Sequence, residues 1–519
     1  MIFNSLPFFV FIGIFLPLYF FLKGKERLLL CLFASYFFYG WWDPRFLTLT
    51  AFSTIVDFYI GKTISETKEQ KKRKRLLIIS MVVNLGFLAF FKYFNFFIGS
   101  FQDLLMSVGY HGSMHSLNII IPVGISFYTF QSMSYTIDVY NKKIAIEPNF
   151  IRFATFISFF PQLVAGPIVR ASDFLPQFQE DRKFEWDRVT AGTGQILFGF
   201  FKKVAVSDSL APFVDQCFDA PGGFSSLHLL IGVFFYSFQI YCDFSGYSDI
   251  AIGLARVMGF DFPDNFKTPY FSKNFSEFWT RWHISLSSWL RDYLYIPLGG
   301  NRGGSLGSWL VISVFMVLTI FLTGWWWLIL LYGMLGGVMY AYMKRSQENR
   351  VKSFTYLNNM ATMLLGGLWH GASWAFVFWG FLHGLYLIIQ RLAGPVWNDF
   401  LNKIRTPQFI QNALAMLMVY FCTCFAWIYF RATDFEVANQ IIIKIGSMDS
   451  FGVINKFWIV KGFLVIGILV AIELANIRFT FWKVIQENPT FRVVSFAFLL
   501  WMIAFFGSFG GNSFIYFQF

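Results

Sequence analysis

Charge is what this sequence has least of. Only 13% of its 519 residues are Asp, Glu, Lys or Arg, against 56% hydrophobic and 22% aromatic, with 72 Phe. A water-soluble surface at this length needs far more charge, so an ordinary soluble protein is excluded. Cysteine is also scarce. Cys31, Cys217, Cys242, Cys422 and Cys424 mostly lie in apolar surroundings, and the last two form C-x-C rather than the C-x-x-C of metal and redox sites. They read as small packing residues. No inverted repeat of the transporter type and no soluble domain can be discerned. The first charge, Lys23, follows the apolar run Leu6–Leu22, which is the wrong order for a cleavable secretory leader.

Apolar runs near 20 residues are abundant, and they define a polytopic, all-α integral membrane protein. The first five spans are expected at Leu6–Leu22, Leu28–Trp42, Phe46–Ile60, Leu76–Ile98 and Ile119–Val139. Basic loops fall at every second connection, the densest being Lys68–Arg75, so that loop is placed inside and the N-terminus outside. This pattern, with some attraction to anionic lipid heads, explains the net charge of +12. Nucleic acid is not needed to account for it. Phe150–Val169 is broken by Pro161, Gly166 and Pro167 and reads as re-entrant. Trp186–Val204 and Leu227–Met258 follow as helical stretches, the second interrupted by Asp243 and Asp249. Asn274–Leu298 is amphipathic and too charged to span, so it belongs at an interface or beside a cavity. Leu310–Trp327 and Leu328–Met343 form an apolar hairpin. Spans near Ala413–Phe430, Trp458–Ala475 and Val493–Phe506 complete the chain and point the C-terminus outward.

Against this background, one stretch stands out. Leu364-Leu365-Gly366-Gly367-Leu368-Trp369-His370-Gly371 puts an imidazole in the middle of an apolar segment, flanked by small residues that let other backbones approach. Between Met360 and Ile389 the only other ionisable side chain is His383. An ionisable group at membrane depth is costly and reads as functional, although a histidine hydrogen-bonded between helices accounts for it equally well on residue type alone. A second stretch, Phe275 to Asp292, would as one helix pair Glu277 with Arg281 and align His283, Ser287 and Arg291 on a cationic face. Such a face can receive a phosphorylated cofactor, or can simply be an interfacial helix anchored by Trp282 and Trp289. In Tyr241–Asp249, Asp243 and Asp249 are expected to pair with Arg281 or Arg291 as core support, with Ser245 between them. Gly299–Gly304 fits neither dinucleotide nor P-loop spacing and reads as a turn. His111 and His115 are at i,i+4 but fall in a solvated loop, and no metal is expected.

Phe160–Ile168, Tyr241–Asp249, Glu277–Gly300 and Gly366–Gly371 together resemble the membrane-bound O-acyltransferase (MBOAT) family, most closely its bacterial branch typified by the integral-membrane subunit of alginate O-acetylation. Arg431-Ala432 after Phe425–Phe430, and the ending Phe514–Phe519, are similar as well. The resemblance covers essentially the whole chain, departing from it between Asn301 and Asn358, where relatives usually have a short connection. It implies a single domain of about 11–14 transmembrane or re-entrant helices around a central funnel or tunnel. Its parts would be N-terminal spans over 1–145, a catalytic core over 150–300 and 355–390, an inserted hairpin over 308–343, and C-terminal spans and tail over 411–519.

By the same resemblance His370 and His283 are the catalytic pair, Trp369 belongs to the W-H-G motif, and Tyr516 in the F-x-Y-x-x-F ending can carry an acyl group in transit, with an aromatic-belt residue at the interface as the alternative. The implied donor is cytoplasmic acetyl-CoA. Acyl transfer from a thioester needs a base and an oxyanion donor, and neutral His370 as base with His283 or backbone N–H groups near Gly366-Gly367 polarising the carbonyl would supply them. The implied place is the cell inner membrane, among its lipids. The implied acceptor is an exported, alginate-like polysaccharide reached through a secreted or periplasmic SGNH-hydrolase-like acetyltransferase partner. Peptidoglycan O-acetylation and D-alanyl transfer to teichoic acid are the alternatives within enzymes. A polymer transporter is the alternative outside them, disfavoured by the sparse intramembrane charge.

Overall fold

The computed structural model describes residues 1–519 except 108, 111, 113–114, 165, 181, 449–455, 480–484, 486, 510–513 and 516–519. Among the described residues all regular structure is helical, and seven helices are long and apolar enough to cross a membrane. The chain sorts into two compact units, Met1–Leu88 with Pro122–Lys267 and Asn439–Phe519, and Ala89–Ile121 with Thr268–Ala438.

In the first unit, glycine decides where helices touch. Trp186–Phe200 runs against the 32-residue helix Ser226–Val257. A Cβ on Gly192 would lie 2.6 Å from the Gly253 carbonyl oxygen, and one on Gly199 2.6 Å from that of Gly246. The two pairs, seven residues apart on each helix, let the backbones meet directly, the packing that lipid-embedded helices favour. Ser226–Val257 is not interrupted at Asp243 and Asp249, because both carboxylates are neutralised within the unit by lysines of the preceding helical segment. Asp249 takes Lys202 at 2.9 Å, and Asp243 takes Lys203 at 2.6 Å. The expected pairing with Arg281 or Arg291 does not form: Arg281 binds Glu277 at 2.6 Å and Arg291 binds its neighbour Asp292 at 2.7 Å. Lys202 and Lys203 lie on the π-helical turn Phe201–Ser207, a wider winding that breaks the regular ladder. Lys203 also holds Asp208 at 2.8 Å, so one buried ammonium serves two buried carboxylates. Ser245 is buried in the same stretch of helix.

Proline and glycine set the boundaries of the next two segments. The expected span from Ile119 begins as a helix only at Ile125, after Pro122 and a left-handed Gly124 (φ 76°). Phe150–Val169 breaks as expected, with Phe150–Ser158 and Phe160–Leu163 separated by Phe159, and the residues around the break are buried in protein. That burial is what makes a break tolerable at membrane depth.

In the second unit the central pair is Gln347–His370 and Trp374–Lys403. They cross at Gly367 and Gly380, where an added Cβ would sit 2.3 Å from the Phe376 carbonyl oxygen or 2.2 Å from that of Met363. Leu357, Ala361, Leu364 and Val377 join Ile312 of Leu306–Thr323 in one apolar cluster. Leu306–Thr323 and Leu328–Arg345 form the expected hairpin, turning at Gly324 (φ 65°). The Gly299–Gly304 stretch turns as expected. The carbonyls of Gly300 and Gly303 each accept from Asn358 Nδ2 at 2.9 Å, tying the turn to the His370 helix.

Candidate active site

The site is built where the helix Gln347–His370 ends. The chain leaves it through Gly371-Ala372-Ser373, and the Ser373 side chain accepts the Ala375 N–H to start the next helix. Gly371 is required by space: a Cβ there would lie 2.1 Å from the Phe376 ring. The turn therefore stays tight against the following helix, and His370 is fixed at the helix end. Its side chain is 2% exposed.

His283 comes from a break in the second unusual stretch. The single helix expected from Phe275 to Asp292 does not form. Phe275–Arg281 and Ile284–Leu290 are separate short helices, and His283 between them is left-handed, with φ 43°. A left-handed bulky residue costs energy and persists where the surroundings enforce it, commonly at functional sites. Here Ser287 enforces it. Its N–H donates to the His283 carbonyl at 2.9 Å and its Oγ to the Trp279 carbonyl at 2.6 Å, clamping the two short helices. The break removes the expected cationic face: His283 is fully buried, whereas the Arg291 side chain is 63% exposed.

The break brings the two histidines together. Their ring centroids lie 6.4 Å apart at 62°. Trp369 touches both, at 6.0 Å from His283 and 5.1 Å from His370. Trp379 stands edge-on to His370 at 4.9 Å and Phe430 at 5.5 Å, the latter from the Phe425–Phe430 run that ends Gln408–Arg431. Both imidazoles are thus held in an aromatic box that excludes water. The N–H groups of Gly366 and Gly367 are inside a regular helix and committed to its ladder. His283, the other expected oxyanion donor, stands beside His370 in the same box.

Three neighbours were given no role by the sequence reading. Lys92 Nζ donates to the carbonyls of Trp369 at 2.8 Å and His370 at 3.0 Å, and Tyr93 Oη donates to that of Leu368 at 2.8 Å. His383, noted in the sequence without a role, is fully buried beside Trp379 at 4.7 Å and Trp279 at 5.1 Å. Neither of its ring nitrogens meets a hydrogen-bond partner among the described residues. Lys92 had a usable signal, since it is a lone cation within the apolar run Leu76–Ile98.

Residues 29–347 match the sequence profile described as MBOAT, membrane-bound O-acyltransferase family. The chain is 37% identical over 454 residues to "Probable alginate O-acetylase AlgI" of Pseudomonas syringae pv. tomato, covering 87% of this chain and 76% of that protein. The protein of the same name in Pseudomonas aeruginosa is 38% identical over 454 residues, covering 87% and 75%. The chain belongs to the membrane-bound O-acyltransferase family. It is therefore a multi-pass membrane acyltransferase. A peptidoglycan O-acetyltransferase of Helicobacter pylori is 31% identical over 435 residues, covering 79% of this acyltransferase and 72% of the relative.

The other expected site residues divide between the units. Trp369 joins His283 and His370, whereas Asp243, Ser245 and Asp249 belong to the first unit. Arg281 and Arg291 are engaged in local ion pairs. Tyr516 lies outside the described residues, but the chain just before it is fixed, since the Ile515 N–H donates to Asp243 Oδ2 at 2.7 Å and Phe514 packs on Tyr247 at 4.5 Å. His111 is also outside the described residues, and His115 is exposed.

Proposed function

We propose that this acyltransferase moves acetyl from cytoplasmic acetyl-CoA across the cell inner membrane for O-acetylation of an exported polysaccharide, alginate-like in kind. The observation that carries the reading is the buried pair His283–His370, with ring centroids 6.4 Å apart inside an aromatic box. Acyl transfer from a thioester needs a base for the acceptor hydroxyl and a donor for the oxyanion that forms. Neutral His370 takes the hydroxyl proton, and the oxygen attacks the thioester carbonyl carbon. His283 steadies the developing oxyanion. The carbon–sulfur bond then breaks, and the departing thiolate takes the proton from His370. Because His370 is only 2% exposed, the aromatic wall of Trp369, Trp379 and Phe430 has to yield as the donor enters.

The polysaccharide and the acetyl group are supported by the two alginate O-acetylase relatives. A secreted SGNH-hydrolase-like partner and the Tyr516 relay complete the proposal on the outer side, with both chain ends outside. The peptidoglycan alternative is favoured by the Helicobacter pylori relative. Incubating purified protein with labelled acetyl-CoA tests the donor. The expected result is release of free CoA and transfer of label to an acceptor hydroxyl or to the protein. No turnover of acetyl-CoA, with turnover of a D-alanyl carrier protein instead, would replace this reading by D-alanyl transfer.

A further inference from the structure

The carbonyl end of a helix is a set of unsatisfied acceptors with a partial negative charge. For the helix Gln347–His370 that end lies at the catalytic histidine itself, away from water, so something in the protein has to satisfy it. Two consecutive residues do. Lys92 reaches the carbonyls of Trp369 and His370, and Tyr93 reaches that of Leu368. The ammonium also lies 5.8 Å from the centre of the Trp369 ring, within cation–π range. Lys92 and Tyr93 are 9% and 7% exposed.

Their placement depends on the local winding. Ala89–Tyr93 is a π-helical turn, a feature that recurs at functional sites because it redirects neighbouring side chains. Here it leaves both polar tips on the end of one other helix. The three carbonyls bound belong to Leu368, Trp369 and His370, the whole W-H motif and the residue before it.

We infer that Lys92 and Tyr93 are positioning residues for the acyl-transfer reaction: they clamp the end of the His370 helix so that the imidazole is held at the bond being made. This rests on the reading of His370 as the base. Neither residue need touch the donor. Lys92 is suited to the task because a compact ammonium offers three donors from one atom and can grip two carbonyls at once. Its positive charge is set against the negative end of the helix, which offsets the cost of burying it.

The experiment compares Lys92→Met, Lys92→Arg, Tyr93→Phe and His370→Gln in detergent-purified enzyme, measuring kcat and KM for acetyl-CoA with the yield of monodisperse protein. Lys92→Met is expected to lower kcat on the order of 10²-fold, as for a base displaced by about 1 Å, with KM unchanged. Lys92→Arg, which keeps the charge and donors on a larger planar head, is expected to recover part of the loss. Tyr93→Phe lowers kcat several-fold. Wild-type kcat in Lys92→Met, or an equal loss in Lys92→Arg, or a loss that resides in KM, would overturn the inference. If Lys92→Met does not yield folded protein, Tyr93→Phe decides, with a several-fold fall in kcat supporting the clamp and a wild-type kcat overturning it. Full activity in His370→Gln would instead bring down the underlying reading, so the two failures are distinguishable.

Discussion

Replacing His370 with Gln or Ala lowers acetyl transfer on the order of 10²–10⁴-fold, the usual contribution of a positioned base. The ring sits between Trp369, Trp379 and Phe430, so His370→Ala opens a void as well as removing the base. His370→Gln has a similar length and a polar tip but no proton acceptor of suitable basicity, and it separates chemistry from packing. Both variants are expected to insert in the membrane, because the helix crossing at Gly367 and Gly380 and the Asn358 anchor do not use the imidazole and are untouched. The check is the initial rate of transfer by monodisperse protein at saturating donor. Wild-type rates in both variants would remove His370 from the chemistry.

Lys203→Met destabilises the protein by about 3–5 kcal/mol, the cost of stranding buried charge. Lys203 is the shared counter-ion of Asp208 and Asp243, and all three side chains are only 2–3% exposed. Removing the ammonium leaves two carboxylates facing each other away from water. The companion variant Lys203→Met/Asp208→Asn/Asp243→Asn removes every charge together and preserves an acceptor for the Ile515 N–H. It is expected to regain much of the loss. Lys202→Met should cost less, because its partner Asp249 is 20% exposed. Thermal unfolding in detergent ranks the set. A Lys203→Met protein as stable as wild type would show that this cluster does not hold the first unit together.

Much of this arrangement was legible in one dimension. Helices and their order followed from apolar run length, although of the first five expected spans only Leu76–Ile98 lies in a helix long and apolar enough to cross a membrane. His370 stood out because an imidazole in such a run needs a reason. The glycines around it correctly announced close backbone approach, realised at Gly367 against Gly380. Pairing was less legible. Asp243 and Asp249 find Lys202 and Lys203, which looked like the tail of another helix, because a π-helical turn brings two adjacent lysines onto two aspartates. Helical periodicity also failed between Phe275 and Asp292. It assumes a continuous helix, and the left-handed backbone at His283 breaks the phase. That break is what carries His283 into the aromatic box, away from Arg291, which shares its predicted face. Lys92 was passed over because its run was read as a plain span.

The central claim is that acetyl enters from the inner face, is handled at His370 and leaves on the outer face. Sealed vesicles of known orientation test it most directly, with labelled acetyl-CoA supplied on the side bearing the Lys68–Arg75 loop. The account predicts that acetyl label accumulates on the opposite side, only when donor is on the loop side, and not in the His370→Gln protein. Equal transfer from either side, or unchanged crossing in His370→Gln, would contradict it.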